Sequence, residues 1–216
     1  MRGLDAVRGS YRDSISREPR IQPPGTFFHV GSKGNNARQI FADDFERRVF
    51  LMLLEKHVVR HRWILLTHVL MTNHFHLLLQ LRVPSLSAGM CGLNGEFSRF
   101  TSARHRRQPG HLFRNRFWSE PIEDDKHLRA TARYIVLNPV RAGICAAPDE
   151  WEWSSYRALA GLEFAPGFLA DVELLKHFGR TPQSAHEEYR GFVRAGVEDA
   201  RTFRHGARHR DESRAR

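Results

Sequence analysis

"WILLTHVLMTNHFHLLLQL", residues 63–81, consists of two apolar runs separated by a short polar break. Each run has the length of a strand, and Thr72 with Asn73 suits a turn, so the stretch predicts a β-hairpin. Successive side chains of a strand point to opposite faces. His74 and His76 therefore share one face, and Phe75 lies on the other. Two titratable rings side by side on an apolar strand admit two readings. Either they are hydrogen-bonded and inert at a sheet edge, or they serve a function that the strand by itself does not name.

Elements of alternating type flank the hairpin. "TFFHVG" (26–31) reads as a strand. "DDFERRVFLMLLEKHVVRHR" (43–62) reads as an amphipathic helix, with Phe45, Val49, Met52 and Leu53 on one face and Asp43 with Glu46 as start signal. After the hairpin, a helix is expected from about Ser85 to about Arg104, a fourth strand in "RFWSEPI" (116–122), and a helix in "DKHLRATARYIVLN" (125–138). The order strand, helix, strand, strand, helix, strand, helix predicts an α+β fold, a ferredoxin-like split βαβ antiparallel sheet with helices on one face and the other face left to a ligand. Shorter helices follow after residue 146, in "EWSSYRALAG", "ADVELLKHFG" and "TPQSAHEEYRGFVRAG". The last has Thr181 as N-cap, Pro182 at the first helical position and Gly196 as stop. The organisation expected is a flexible leader over 1–25, a main domain over 26–160, a helical extension over 161–198 and a basic, disordered tail over 199–216.

The chain has 216 residues, with 34 basic against 24 acidic side chains and a formal charge of +10, and arginine supplies most of the positive charge. Arginine forks bind phosphate bidentately, so this balance points to nucleic acid before membrane. Cys91 and Cys145 form no CxxC pair, which implies a reducing compartment, no disulfide framework and no structural zinc. No apolar run reaches the length of a membrane span and no signal-peptide pattern opens the chain, so a soluble cytoplasmic protein is expected.

In "RYIVLNPVRAG" (133–143), Tyr134 and Asn138 are four apart and share a helix face. Pro139 is expected to push Asn138 out of helical geometry and end the helix there. A tyrosine and an amide oxygen presented together are compatible with a nucleophile beside a metal ligand. Ordinary packing and an ordinary helix end would look the same.

The motifs taken together resemble the HUH-type single-tyrosine transposases, and among them the REP-associated tyrosine transposases. The resemblance runs over about residues 26–160, through "FFHVGSKGNNARQIF", "VLMTNHFHLLLQ", "GLNGEFSRF", "GHLFRNRFWS", "RYIVLNPVRAGI" and "EWEWSSYRA" in order. It implies that His74 and His76 are metal ligands around the hydrophobic Phe75, that Asn138 completes the site, and that Tyr134 is the nucleophile. It further implies a divalent ion, Mg²⁺ or Mn²⁺, polarising a scissile phosphate, and a 5′-phosphotyrosine link with a free 3′-hydroxyl. The expected substrate is single-stranded DNA folded into REP-like hairpins, and the expected setting is the bacterial cytoplasm beside the nucleoid. A domesticated hairpin-binding protein without productive cleavage is the alternative, though a pure binder has no need of all four residues. An RRM-like RNA binder ranks far behind. The residues give no choice between monomer and homodimer. Gly31 and Lys33 depart from the family pattern, in which threonine and arginine are expected, and Cys91 and Gly92 replace more polar residues.

Residues 98–118 carry six arginines, two histidines and no acid, interleaved with Phe100, Phe113, Phe117 and Trp118. Such a mixture neutralises phosphates and stacks on unpaired bases; alternatively the phenylalanines are core, the reading favoured for Phe97 and Phe100. Arg114 and Arg116, alternating at the start of the fourth strand, are the leading DNA-binding candidates, and Lys33 and Asn35 in "GSKGNNARQ" form a second candidate loop. Tyr156 is read as packing or DNA contact, and Tyr189 and Tyr11 as unrelated to catalysis. His57 and His61 are also four apart, but lie among basic residues and are expected on a solvated face.

Overall fold

The computed structural model describes residues 21–106 and 111–201. Tyr11 and most of the expected leader and tail lie outside them. The strands are β1 (Phe27–Lys33), β2 (Trp63–Leu70), β3 (His74–Leu81) and β4 (Trp118–Pro121), in the order β2-β3-β1-β4 with every neighbouring pair antiparallel. Helix α1 (Asp44–His61) crosses from β1 to β2, and α2 (Leu86–Arg104) from β3 to β4, which gives the expected ferredoxin-like arrangement.

Alternation along the strands divides the molecule into two cores. Phe28, Val30, Phe75, Leu77 and Leu79 face α1 and α2, where they meet Phe50, Leu54, Met90 and Phe97. Leu66 and Leu78 belong to a second core with Ile135 and Val136 of α3 (Asp125–Val136) and with residues of α5 (Tyr156–Leu159), α6 (Asp171–Leu175) and α7 (Pro182–Ala195). Most of the face left to a ligand is thus covered, because Leu78 and its neighbours there are apolar and need burial. A bulge in β2 between Leu65 and Thr67 lets Leu66 enter this second core and brings the Thr67 hydroxyl 2.6 Å from that of Ser155.

Several local signals act as expected. The Asp43 side chain caps α1 by accepting from the Glu46 N–H, and Thr181 forms a reciprocal capping box with Ser184 at α7. The buried face of α1, however, carries Phe50, Leu54 and Val58, while Phe45 and Met52 are exposed. Apolar and charged residues are spread around this helix rather than sorted to two sides, so periodicity does not single out the face that α2 and the sheet cover. Nor does Pro139 end helical geometry at Asn138. Leu137 interrupts α3, and Asn138–Arg141 forms a further turn, α4, with Pro139 near its start, where a missing N–H leaves no partner unsatisfied. The fourth strand starts at Trp118, so Arg114 and Arg116 sit in the loop before it.

His68 of β2 is buried against Phe168, and its Nδ1 has no hydrogen-bond partner among the described residues. Burial lowers its pKa from 6.5 to about 4, so the unfolded chain binds the extra proton between those values. Its neutral form stabilises the fold above about pH 6.5, and that contribution is lost as pH falls toward 4. The loss is on the order of 3 kcal/mol at most. Urea unfolding of wild type and His68→Leu at pH 7.5 and 4.5 is expected to give a smaller acid loss in the variant; equal losses would place the acid sensitivity in other groups.

Candidate active site

Pairing of β1 with β3 sets Gly31 opposite His76 and Lys33 opposite His74. His29, two residues before Gly31, becomes the diagonal neighbour of His76, within reach for a ring. Its Nε2 lies 3.1 Å from His76 Nδ1. From the other side, β4 places Trp118 opposite Gly31, with its ring 4.6 Å from that of His29 and 5.5 Å from that of His76, centre to centre. A Cβ at Gly31 would stand 2.6 Å from the Trp118 ring, so the missing side chain is what admits this tryptophan. Helix α3 brings Tyr134 over the same spot, its ring centre 5.7 Å from that of His76 and 5.8 Å from that of His29. With Glu120 and Thr131 these residues line a cavity of about 340 Å³.

Asn138 closes the group. Its amide donates to the Tyr134 carbonyl oxygen at 2.9 Å, the contact that a spacing of four on a helix allows. His74 Nδ1 pairs with Asn73 Oδ1 at 2.7 Å, and its ring centre lies 5.0 Å from that of His76. The four residues singled out for metal and nucleophile therefore meet at one place. Tyr134 is 37% exposed, and the Arg141 guanidinium lies 5.0 Å from its ring centre, which restrains the ring from the side.

Burial keeps the imidazoles neutral. The pKa of His76 is lowered to about 2 by desolvation, then by His29 and His74, and that of His29 to about 4 by desolvation, then by His127. His74 is lowered by burial and by Lys33. A neutral imidazole has one bare nitrogen to give a cation, and a ring whose other nitrogen is hydrogen-bonded is held in place to give it. Two such rings and the amide oxygen of Asn138 suit a divalent ion that keeps further positions for water and phosphate. Among the described residues no group of three or more His, Cys, Asp and Glu could hold a metal, so an ion here depends on that amide.

The candidate DNA contacts divide. Lys33 is exposed beside His74, and its carbonyl accepts from the Arg114 N–H at 2.9 Å. Arg114 and Arg116 are exposed at a second cavity, about 640 Å³, between α2 and the loop leading to β4, which Asn94, Ser98 and Cys91 also line. Asn35 is half-buried in the turn after β1, tied by its N–H to Leu112. Phe113 and Phe117 are core residues, not stacking faces, since the loop folds them inward, with Phe113 edge-on to Phe75. Of the aromatic residues proposed to stack on bases, Trp118 stays exposed and Phe100 half-buried. His57 is not solvated: it is buried, stacks on His61, lies 3.5 Å from a Glu96 carboxylate oxygen, and fills the space that a side chain at Gly92 would need. Tyr156 and Tyr189 are both buried in the second core.

His29 was not among the residues singled out from the sequence. Its only signal is position: in "TFFHVG" it alternates onto the face of Gly31, and no local pattern tells which residues of β3 that face will meet.

Residues 27–138 match the family described as "Transposase IS200 like". A Haemophilus influenzae protein named as a REP-associated tyrosine transposase is 28% identical over an alignment of 107 positions that covers 45% of this chain and 61% of that one. The chain thus spans less than two thirds of that relative's length. A solved structure described as a REP-associated tyrosine transposase bound to a REP hairpin superposes with a TM-score of 0.58 at 19% identity, covering 70% of this chain and 89% of that one. At that identity the likeness is one of fold. No helix among the described residues is long and apolar enough to cross a membrane.

Proposed function

The chain belongs to the IS200-like transposase family, and from that premise we propose that it is a metal-dependent single-stranded DNA endonuclease and strand transferase acting on hairpin-forming DNA. The observation that carries the reading is the meeting of Tyr134 with His74, His76 and Asn138 at one place over the central strands, where Tyr134 remains partly exposed. His74, His76 and Asn138 would hold Mg²⁺ or Mn²⁺, which when bound supplies Lewis-acid polarisation of the scissile phosphate. Tyr134 gives up its phenolic proton and its oxygen attacks phosphorus. A tyrosine–phosphorus bond forms, the bond to the 3′ oxygen breaks, and that oxygen leaves as a hydroxyl. Because the phosphodiester energy is kept in the 5′-phosphotyrosine bond, a 3′-hydroxyl of another strand can reverse the step without ATP. The test is incubation with labelled hairpin DNA and Mn²⁺, followed by a denaturing gel: a covalent protein–DNA band is expected, and hairpin binding with no band would favour a binding protein.

Lys33, Asn35, Arg114 and Arg116 are assigned to the DNA. Lys33 is exposed opposite His74, so its ammonium can reach a phosphate bound there, and Arg114 and Arg116 have no acidic side chain among the residues lining their cavity. Replacing Arg114 and Arg116 by alanine is expected to make the fall of log affinity with log salt shallower by about 1.4, at about 0.7 per phosphate contact on a single strand. Salt titration of fluorescent single-stranded DNA measures this, and an unchanged slope would put the binding surface elsewhere.

A further inference from the structure

We infer that His29 is a positioning residue, which takes the Nδ1 proton of His76 in a hydrogen bond and so keeps His76 Nε2 bare for a divalent cation; the inference rests on the metal reading of His76. His29 Nε2 and His76 Nδ1 are 3.1 Å apart in a buried contact, and each residue is only 7% exposed. One proton lies between those two nitrogens, and its side decides what the rest of His76 can do. If His29 donated, His76 would carry its own proton on Nε2 and have no bare nitrogen left for an ion. If His76 donates, its Nε2 lone pair is free. His74 is held in the same sense: its Nδ1 faces the side-chain amide oxygen Oδ1 of Asn73, which can only accept. The two proposed ligands are then matched, each with Nδ1–H spent on a fixed acceptor and Nε2 presented.

The surroundings explain why His29 holds still enough for this. Its ring stands edge to face with Trp118 at 4.6 Å and with Tyr134 at 5.8 Å, so it is wedged between β4 and α3. The wedge also depends on the missing side chain at Gly31, since a Cβ there would meet Trp118 and Phe75 backbone oxygen at 2.7 Å or less.

The test uses the full chain, with His29→Leu, which has no acceptor, and His29→Gln, whose amide oxygen can replace the imidazole nitrogen. Two readouts are taken without DNA: Mn²⁺ affinity by electron paramagnetic resonance, and the His76 tautomer by ¹⁵N-correlated NMR of the metal-free protein. In the wild type, His76 is expected with its proton on Nδ1. His29→Leu is expected to lose 10- to 100-fold in Mn²⁺ affinity, about the effect of removing such a partner, and His29→Gln to recover most of it. If His29→Leu is too poorly folded to assay, His29→Gln and the wild-type tautomer decide alone. A wild-type His76 protonated on Nε2, or unaltered Mn²⁺ affinity in a folded His29→Leu, overturns the role of His29 and leaves the metal reading standing. A wild type that binds no Mn²⁺ overturns both.

Discussion

Tyr134→Phe is expected to abolish the covalent protein–DNA band while leaving hairpin binding nearly unchanged. The substitution removes one oxygen from a ring that is 37% exposed, so the packing against His29, His76 and Arg141 survives. Loss of a nucleophile can reduce turnover by up to about a millionfold. The structure also narrows the choice of nucleophile, because Tyr156 and Tyr189 lie in the second core with burial raising both their pKa values. A band of undiminished strength from the variant would remove Tyr134 from its assigned role and require a nucleophile outside that cavity.

The second large effect separates two adjacent residues. Phe75 and His76 are neighbours on β3 but face opposite sides of the sheet, one into the core and one into the site cavity, and their truncations are expected to fail in opposite ways. Phe75 is fully buried, 4.7 Å from Phe50 and edge-on to Phe113, so Phe75→Ala leaves a cavity costing about 3–5 kcal/mol. For a chain of this size, that is a fall of roughly 10 °C in the melting temperature. His76→Ala takes away a ring at the edge of a cavity and its one hydrogen bond to His29. The fold should survive and cleavage should collapse. At Mn²⁺ one hundred times its dissociation constant, wild type should gain about 2.7 kcal/mol of stability, and His76→Ala much less. Melting curves with and without Mn²⁺, run beside the cleavage gel, measure both. If His76→Ala unfolds as readily as Phe75→Ala and wild type ignores Mn²⁺, the histidines are structural and the enzyme reading fails.

The elements themselves were legible because their signals are local. The paired apolar runs of residues 63–81, the Asp43 and Thr181 caps and the turn at Thr72 and Asn73 each reside in a few consecutive residues. The order of those elements then leaves few sheet topologies, and the spacing of Tyr134 and Asn138 carries its own geometry. What tertiary structure alone decided depends on which surface meets which. That Phe50 and Leu54 rather than Phe45 and Met52 are buried follows from where α2 lies against α1, and that His57 is buried follows from Gly92 on α2. Phe113 and Phe117 became core because a loop turned inward, which no periodicity marks. His29 joined the site through the β1–β3 register, with residues 47 apart in the chain brought to 3.1 Å. Local preference acts over a turn or a strand, whereas a register is chosen by the burial of both faces at once, and that choice exists only when the whole sheet is assembled.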